Sequence, residues 1–551
     1  MHVIGTAGHV DHGKSALVER LTGMDPDRFA EEKARGLTID LGFAWLTLPS
    51  GNEIGLIDVP GHERFVKNML AGAGGITICL FVVAANEGWK PQSGEHLAIV
   101  DTLGISSGVI VLTKSDLVED LDAVRASVAA HVAGTSLASF PVVACSSVTG
   151  DGLDELVAEL DRVVSRTAPA VDVGRPRLWV DRVFTIAGAG TVVTGTLAGG
   201  SLSAGASVEI APEGRVTRVR TIQSHKKEVA SIAPGNRVAL NLAGLERQGA
   251  ERGNAIVLPG SFRTTRLIDV ELSATSVDQM GRAAGITEKG AHLLYVGSAE
   301  VPVRVKLIGS DAIEPGGSGF AQLRLQDPLP LQRDDRFVLR DAGRVVTLGG
   351  GRVLDPLPEP ARRGDGGRAA LLATLARSSS SDAFLALVES AGQLPRAEAL
   401  FRTGLSAVPS GVVESGDTLL SRAEAARREA ESQARTDEMG AGARAVLEKV
   451  EAGGFTPRLT KELDSDPVVV RNLAAAGELV RIGDFHLTAA GAAEARRIVR
   501  AHITDNGPVT VAEIRDLLGT TRKYAVPLSE WLDATGATRR DGDLRALGPT
   551  P

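Results

Sequence analysis

Near-continuous apolar runs, each followed by a stretch with helical spacing, fill the first third of the chain. Glu53-Ile54-Gly55-Leu56-Ile57, Ile78-Cys79-Leu80-Phe81-Val82-Val83, Gly108-Val109-Ile110-Val111-Leu112 and Pro141-Val142-Val143-Ala144 read as strands buried on both sides. Alternation of such strands with helices predicts an α/β domain over 1–172, with a mostly parallel sheet covered on both faces. At Val171-Asp172-Val173-Gly174-Arg175-Pro176 the texture changes. Short alternating runs rich in Val, Thr and Gly follow, broken by turn signals such as Ala198-Gly199-Gly200 and Glu213-Gly214. They predict two all-β barrels, 173–260 and 261–356, divided near Pro259-Gly260. The cluster from Pro356 to Pro360, with Arg362 to Gly367, reads as a linker. Beyond it Ala, Leu, Glu and Arg recur at helical spacing. Two segments there, 441–493 and 494–551, look alike: helices, then a hairpin turning at Gly483-Asp484 or Asp541-Gly542. Helices plus a hairpin predict winged-helix repeats, mainly α. A third unit, 367–440, ends in Val412 to Leu420 and carries the charged run Arg422 to Asp437, a solvated helical connector.

Composition bounds this picture without changing it. A chain of 551 residues holds several domains. Hydrophobic content of 43% and charged content of 23% are those of a globular protein, and a net charge of −8 excludes a wholly basic nucleic-acid coat but not a local basic patch. Cys79 and Cys145 lie in apolar runs and supply neither a disulfide framework nor a zinc set. The first strand begins at once, so no signal peptide fits, and no apolar run reaches the length of a membrane span. The expectation is a cytoplasmic monomer that does not engage membranes.

Candidate chemistry begins at the first strand. Gly8-His9-Val10-Asp11-His12-Gly13-Lys14-Ser15 follows His2-Val3-Ile4 and precedes the helical Ala16 to Leu21. A glycine, four free positions and Gly-Lys-Ser between strand and helix form a phosphate loop. Gly8 and Gly13 permit the tight turn that aims backbone N–H groups inward, and the helix N-terminus adds its dipole. Lys14 can place an ammonium on the β- and γ-phosphates, and Ser15 can ligand Mg²⁺. Asp58-Val59-Pro60-Gly61-His62 ends the next strand: Asp58 can hold Mg²⁺ through water, Gly61 can bond the γ-phosphate, and His62 can orient the attacking water. Thr38, between these loops, sits where a switch segment supplies a second hydroxyl to Mg²⁺. Thr113-Lys114-Ser115-Asp116 ends another strand. There the Asp116 carboxylate matches guanine N1–H and N2–H, donors that adenine lacks, and the Lys114 stem can cover the base. Ser146 and Ser147, after the last strand, can bond guanine O6. The cofactors expected are GTP and Mg²⁺.

These stretches, with Glu31-Glu32-Lys33-Ala34-Arg35-Gly36-Leu37-Thr38-Ile39, resemble translational GTPases of the elongation factor Tu class. The resemblance implies that His62 is the catalytic histidine, gated by Val10 and Leu37 until the ribosome intervenes. Three departures are similar to the selenocysteine-specific elongation factors, the SelB family: the short segment from Lys14 to Thr38, Thr113 in place of the usual Asn, and the long extension past the barrels. So are Val180-Asp181-Arg182-Val183-Phe184-Thr185-Ile186 and Thr521-Arg522-Lys523-Tyr524-Ala525. That family implies selenocysteinyl-tRNA, an mRNA selenocysteine insertion hairpin and the ribosome as partners, with delivery at UGA codons. It usually carries four winged helices, and three are legible here.

A selenocysteinyl ester carries an ionised selenol at neutral pH, so a pocket that prefers it to a seryl ester needs positive charge in a partly desolvated site. The resemblance places that pocket at Asp181, Arg182 and Arg252. Arg522, Lys523 and Tyr524 at a helix start, with Arg539 and Arg540 on the adjacent wing, suit phosphate contact and base stacking on RNA. His225 receives no role. Competing readings are another factor of the elongation factor Tu type, a GTPase subunit of sulfate-activating enzymes, and a GTPase sensor with DNA-binding winged helices. The extension argues against the first two, and the barrels against the third.

Overall fold

The computed structural model describes residues 2–26, 40–61, 68, 75–186, 190–245, 249–276, 285–344, 346–362, 365–438, 440–463 and 467–550. They form two compact units, one reaching Ser421 and one from Arg422 to Pro551.

The first unit opens with a six-stranded sheet. Its strands are β1 (His2–Gly8), β2 (Gly42–Thr47), β3 (Glu53–Asp58), β4 (Ile78–Ala84), β5 (Gly108–Thr113) and β6 (Val142–Ala144), in the order β2-β3-β1-β4-β5-β6. All are parallel except β2, which runs antiparallel along β3 at the edge. Alternation within each buried strand feeds two cores. Ile4, Leu80 and Val82 pack with α1 (Lys14–Thr22) and α4 (Leu153–Arg166). Ala7, Phe81 and Val83 pack on the other face with α2 (Pro91–Thr102) and α3 (Leu121–Val132). Because the central strands are parallel, the loops leaving β1, β3, β5 and β6 emerge on one rim, where open α/β sheets bind ligands.

Two six-stranded rings follow. In the first barrel, strands 177–179, 190–198, 236–242, 215–224, 207–211 and 255–257 pair in turn and close, while 182–186 pairs on the outside of 190–198. In the second, strands 265–274, 318–329, 299–308, 292–296, 336–341 and 346–355 close the ring. Each barrel is filled by the inward residues of its strands.

The Pro/Gly cluster expected to be a linker is a braced joint. Gln322, on the second barrel, donates to the Glu359 carbonyl at 2.9 Å and accepts from the Ala361 N–H at 2.8 Å. Two barrel carboxylates, Asp269 (0% exposed) and Asp355 (1%), are buried, and the unit beyond the joint supplies their cations. Arg368 pairs with Asp269 and Arg402 with Asp355, each at 2.5 Å. Burial raises the Asp269 pKa to about 6, against the pull of Arg368. That unit comprises α5 (Gly366–Arg377), α6 (Ser380–Ala391), α7 (Arg396–Thr403) and a three-stranded sheet of 393–395, 413–415 and 418–420. Its Phe384 and Leu387 share a core with Ile308 and Leu354 of the barrel.

The second unit begins with the charged helix α8 (Arg422–Glu438), on which Arg427 bridges Glu424 and Glu431. Helices α9 (Gly440–Ala452) and α10 (Pro467–Ala475) and the hairpin 479–482/485–488 make one winged helix. Helices α11 (Ala489–Asn506), α12 (Val511–Leu517) and α13 (Arg522–Ala534), with strands 509–510, 538–541 and 544–547, make the next. Thr510 and Glu513 cap each other at the start of α12. The two winged helices share one apolar core running from Ile482, Phe485 and Leu487 to Val499, Leu528 and Leu532. Among the described residues three units of helices with a small sheet follow the second barrel.

Candidate nucleotide, cargo and RNA sites

The loop between β1 and α1 is bent by Gly8 (φ 134), Asp11 (φ 60) and Gly13 (φ 83). Any Cβ on Gly8 would lie 2.1 Å from the Val82 carbonyl oxygen, so only glycine fits. Lys14 is buried, with Nζ on the carbonyls of Gly8 (3.1 Å) and His9 (2.6 Å). Burial lowers its pKa to about 8, against the pull of Asp58 and Asp11. Asp58 is fully buried at the end of β3 and accepts from Thr6 at 2.8 Å and from Ser15 at 2.6 Å. A hydroxyl and a carboxylate side by side are the oxygen donors a hard cation takes. Gly61 lies on the loop itself: a Cβ there would meet Lys14 Nζ at 2.5 Å and Val10 N at 2.7 Å. His62 and Thr38 fall outside the described residues, as does Leu37 of the expected gate.

Helix α2 holds the loop from behind, a role the motifs do not reveal. Gln92 accepts the Val10 N–H at 3.0 Å and buried His96 accepts the Gly8 N–H through Nδ1 at 2.9 Å. Burial drives the His96 pKa well down, and the Lys14 charge adds to it. Pro91 at the helix start, with two polar residues one turn apart on an apolar helix, is the only signal for it. Between them in sequence, Glu95 reaches Arg340 (2.9 Å) and Thr347 (3.0 Å) of the second barrel.

On the base side, Thr113 donates to the His12 carbonyl at 2.6 Å, tying the β5 loop to the phosphate loop. Lys114 has φ 54 and pairs with Glu87 at 2.9 Å. Ser115 N–H reaches the Cys145 carbonyl at 3.3 Å, which brings exposed Asp116 beside the 145–150 loop. The Ser146 hydroxyl is turned into its own loop, accepting from Val148 N (3.2 Å) and Thr149 N (3.1 Å), and Ser147 stays half-buried. Leu117 and Val148 are 62% and 84% exposed beside Asp116 and Ser147, apolar edges suited to the faces of a base.

Asp181 and Arg182 lie at the seam between the first barrel and β2. Asp181 pairs with Arg237 at 2.5 and 3.0 Å and accepts from Thr194 at 2.7 Å. Arg182 bonds Asp40 at 2.8 Å and the Leu41 carbonyl. Both guanidinium groups stack on one ring, Phe43, at 3.4 Å for Arg237 and 4.7 Å for Arg182. Arg237 and Phe43 were not anticipated from sequence. The loop of Arg252 is backbone-paired to Val180, but the Arg252 guanidinium is exposed and reaches Asn68 at 2.9 Å. His225 acquires a docking role: its ring stacks on Trp45 of β2 at 5.8 Å, and Nδ1 is 3.6 Å from Glu53.

On the last winged helix Arg522 and Lys523 are exposed at the start of α13, and Arg539 and Arg540 are exposed on strand 538–541. Tyr524 is half-buried, its ring edge-on to Phe485 at 5.1 Å in the shared core, with Lys523 Nζ 5.2 Å over its face. Arg545 is buried and pairs with Asp533 at 3.0 Å.

A phosphate loop, a guanine-side loop and two closed barrels in this order define a GTPase of the translation-factor type. Residues 1–166 match the elongation factor Tu GTP binding domain, 277–360 the β-barrel domain of selenocysteine-specific elongation factors, and 501–547 the elongation factor SelB winged helix. The selenocysteine-specific elongation factor of Desulfomicrobium baculatum is 33% identical, over 99% of both chains. That of Escherichia coli K12 is 31% identical, over 99% of this chain and 98% of the relative. A crystal structure of bacterial selenocysteine-specific elongation factor EF-Sec superposes with a TM-score of 0.70 at 25% identity, covering 99% of this chain and 100% of that one. The Methanococcus maripaludis SelB in complex with the GTP analogue GppNHp superposes with a TM-score of 0.56 at 26% identity, over 65% of this chain and 79% of that one. The chain belongs to the selenocysteine-specific elongation factor family, and it is a GTP hydrolase. Among the described residues no helix is long and apolar enough to cross a membrane.

Proposed function

We propose that this GTPase carries selenocysteinyl-tRNA to the ribosome at UGA codons while its last winged helix holds an mRNA selenocysteine insertion hairpin. The observation that carries the reading is the seam cluster of Asp181, Arg182 and Arg237 around Phe43. Two guanidinium groups on an aromatic face, partly withdrawn from water, suit a selenolate and give a neutral serine hydroxyl no equal attraction. Asp181 fixes the Arg237 fork, so the charge is preorganised. Arg237 takes the place in this pocket that sequence assigned to Arg252.

In the nucleotide site, Lys14 and the loop amides hold the phosphates and Asp116 selects guanine. Ser15 and Thr38 would ligate Mg²⁺ and Asp58 would hold it through water, and the ion would neutralise phosphate charge. His62 orients the attacking water once the ribosome engages. Exposed Arg522, Lys523, Arg539 and Arg540 take RNA phosphates, and Tyr524 supports the helix that presents two of them. The decisive experiment compares selenocysteinyl-, seryl- and cysteinyl-tRNA binding with a non-hydrolysable GTP analogue. Preference for the first, lost in Arg237→Gln, is expected; equal binding of all three by the unaltered protein would refute the cargo reading.

A further inference from the structure

A tight turn on the first barrel carries side chains that the turn itself does not favour. Strand 215–224 pairs with 227–229, and Ser224 stands opposite Lys227, so His225 and Lys226 make the whole connection. Both have positive φ, 49 and 61. A turn of this shape favours Asn-Gly, because ordinary side chains strain the left-handed region. What the side chains touch accounts for the pair. The His225 ring stacks on Trp45 at an interplanar angle of 23°, and Lys226 Nζ lies 5.3 Å over the same indole. His225 Nδ1 and Lys227 Nζ approach the two oxygens of Glu53 at 3.6 and 3.7 Å. Trp45 stands opposite Gly55 of β3, and a Cβ there would lie 3.9 Å from His225 Nε2, so the glycine leaves the ring its seat.

The element gripped in this way is the β2–β3 hairpin. Ala44 and Leu46 turn into the GTPase core, while Phe43 and Trp45 face the barrel. The barrel therefore holds β2 both at Phe43, through Arg182 and Arg237, and at Trp45, through the turn. This hairpin also joins the two loops of the nucleotide site: Thr38 precedes its first strand in sequence, and Asp58 ends its second. A switch hydroxyl drawn to Mg²⁺ fixes the chain that follows it, where Asp40 takes Arg182. We propose that His225, Lys226 and Lys227 form a latch between the first barrel and the β2–β3 hairpin that closes with GTP and loosens with GDP. The latch rests on the reading of Thr38 as the switch hydroxyl and is independent of the cargo. Burial lowers the His225 pKa more than Glu53 raises it, and Lys227 adds to the fall. Once released, the ring takes up a proton more readily, so acid favours the open latch.

The test titrates the full chain with a fluorescent GDP and with a non-hydrolysable GTP analogue, and takes the ratio of the two affinities. The double variant His225→Asn, Lys226→Gly gives the turn its favoured residues, so the barrel keeps its fold while the latch is lost. GDP affinity stays unchanged, and preference for the triphosphate falls about fivefold, because a contact that senses the nucleotide alters nucleotide affinity by the same factor. In the unaltered protein the preference also falls as pH drops from about 7 to about 5.5, and in His225→Gln this fall flattens. A turn that served the barrel alone would move neither readout. An unaltered preference in the double variant overturns the latch, as does a pH profile that His225→Gln leaves unchanged. Thr38→Ala, measured by itself, should lower the preference as well. If it does not, the switch reading falls, while the double variant still decides the latch.

Discussion

Lys14 lies buried in the phosphate loop with its ammonium on two backbone carbonyls, and burial brings its pKa to about 8. An ordinary lysine titrates near 10.5, so folding disfavours the charged form and this group's stability contribution is lost as pH falls through that window. Nucleotide phosphates reverse the preference, since they interact with the ammonium and not with the neutral amine. Binding above pH 8 therefore takes up a proton, and affinity for a GTP analogue should fall about fivefold between pH 8 and 9. Calorimetry in two buffers of different ionisation enthalpy checks this, and a flat profile without proton uptake would refute it. Lys14 was legible in the sequence because its partners are its neighbours. Arg237 was not, because it meets Asp181 across 56 residues of sequence, where only closure of the barrel joins them. Thr113 shows the middle case: its departure from the usual Asn was visible, while its bond to the His12 carbonyl needed the fold.

At the scale of elements, α2 does two things with one turn of residues. Gln92 and His96 hold the phosphate loop, and Glu95 between them is anchored in the second barrel. A hydrogen bond of this kind contributes about 1 kcal/mol, so Gln92→Ala should speed release of a fluorescent GDP about fivefold, read by stopped flow. An unchanged rate would mean that the helix only packs there. Strand and helix order were legible from apolar periodicity, because burial on one or two faces writes itself into local spacing. Strand β2 was missed, since Phe43 and Trp45 carry aromatic rings used for docking as well as for the sheet. The joint after the second barrel was misread for a related reason. Proline and glycine announce an absent helix or strand, but say nothing of Asp269 and Asp355 waiting on the barrel for Arg368 and Arg402. Removing one partner of such a buried pair costs about 3–5 kcal/mol. Arg402→Ala should lower the unfolding midpoint of the first unit, and adding Asp355→Asn should recover part of the loss; the absence of that recovery would show that the two charges are not coupled.

At the scale of the molecule, the divide falls between Ser421 and Arg422, not at the Pro/Gly cluster near 360. Each side closes its own cores: the first unit unites the GTPase, both barrels and one winged helix, and the second unites the remaining two around Phe485 and Leu528. Those two repeats could be read from their matching hairpin turns, but their fusion could not, because Tyr524 looks like a surface aromatic until Phe485 is seen against it. Helix α8 opens the second unit with exposed side chains held by ion pairs along its own surface. Exposed pairs of this kind contribute little to stability, so this helix is the place where a protease can gain entry. Limited trypsin digestion should therefore cut within Arg422–Arg435 before it touches Arg362 or Arg368, even though arginines stand at both places. A fragment of residues 1–421 should bind GTP with the affinity of the full chain. A fragment of residues 440–551 should unfold as one cooperative transition and keep the salt-dependent RNA affinity proposed for its last winged helix. Two separate transitions in that fragment would show that the shared core does not couple the last two winged helices, and first cleavage near residue 362 would restore a flexible linker where the structure has a brace.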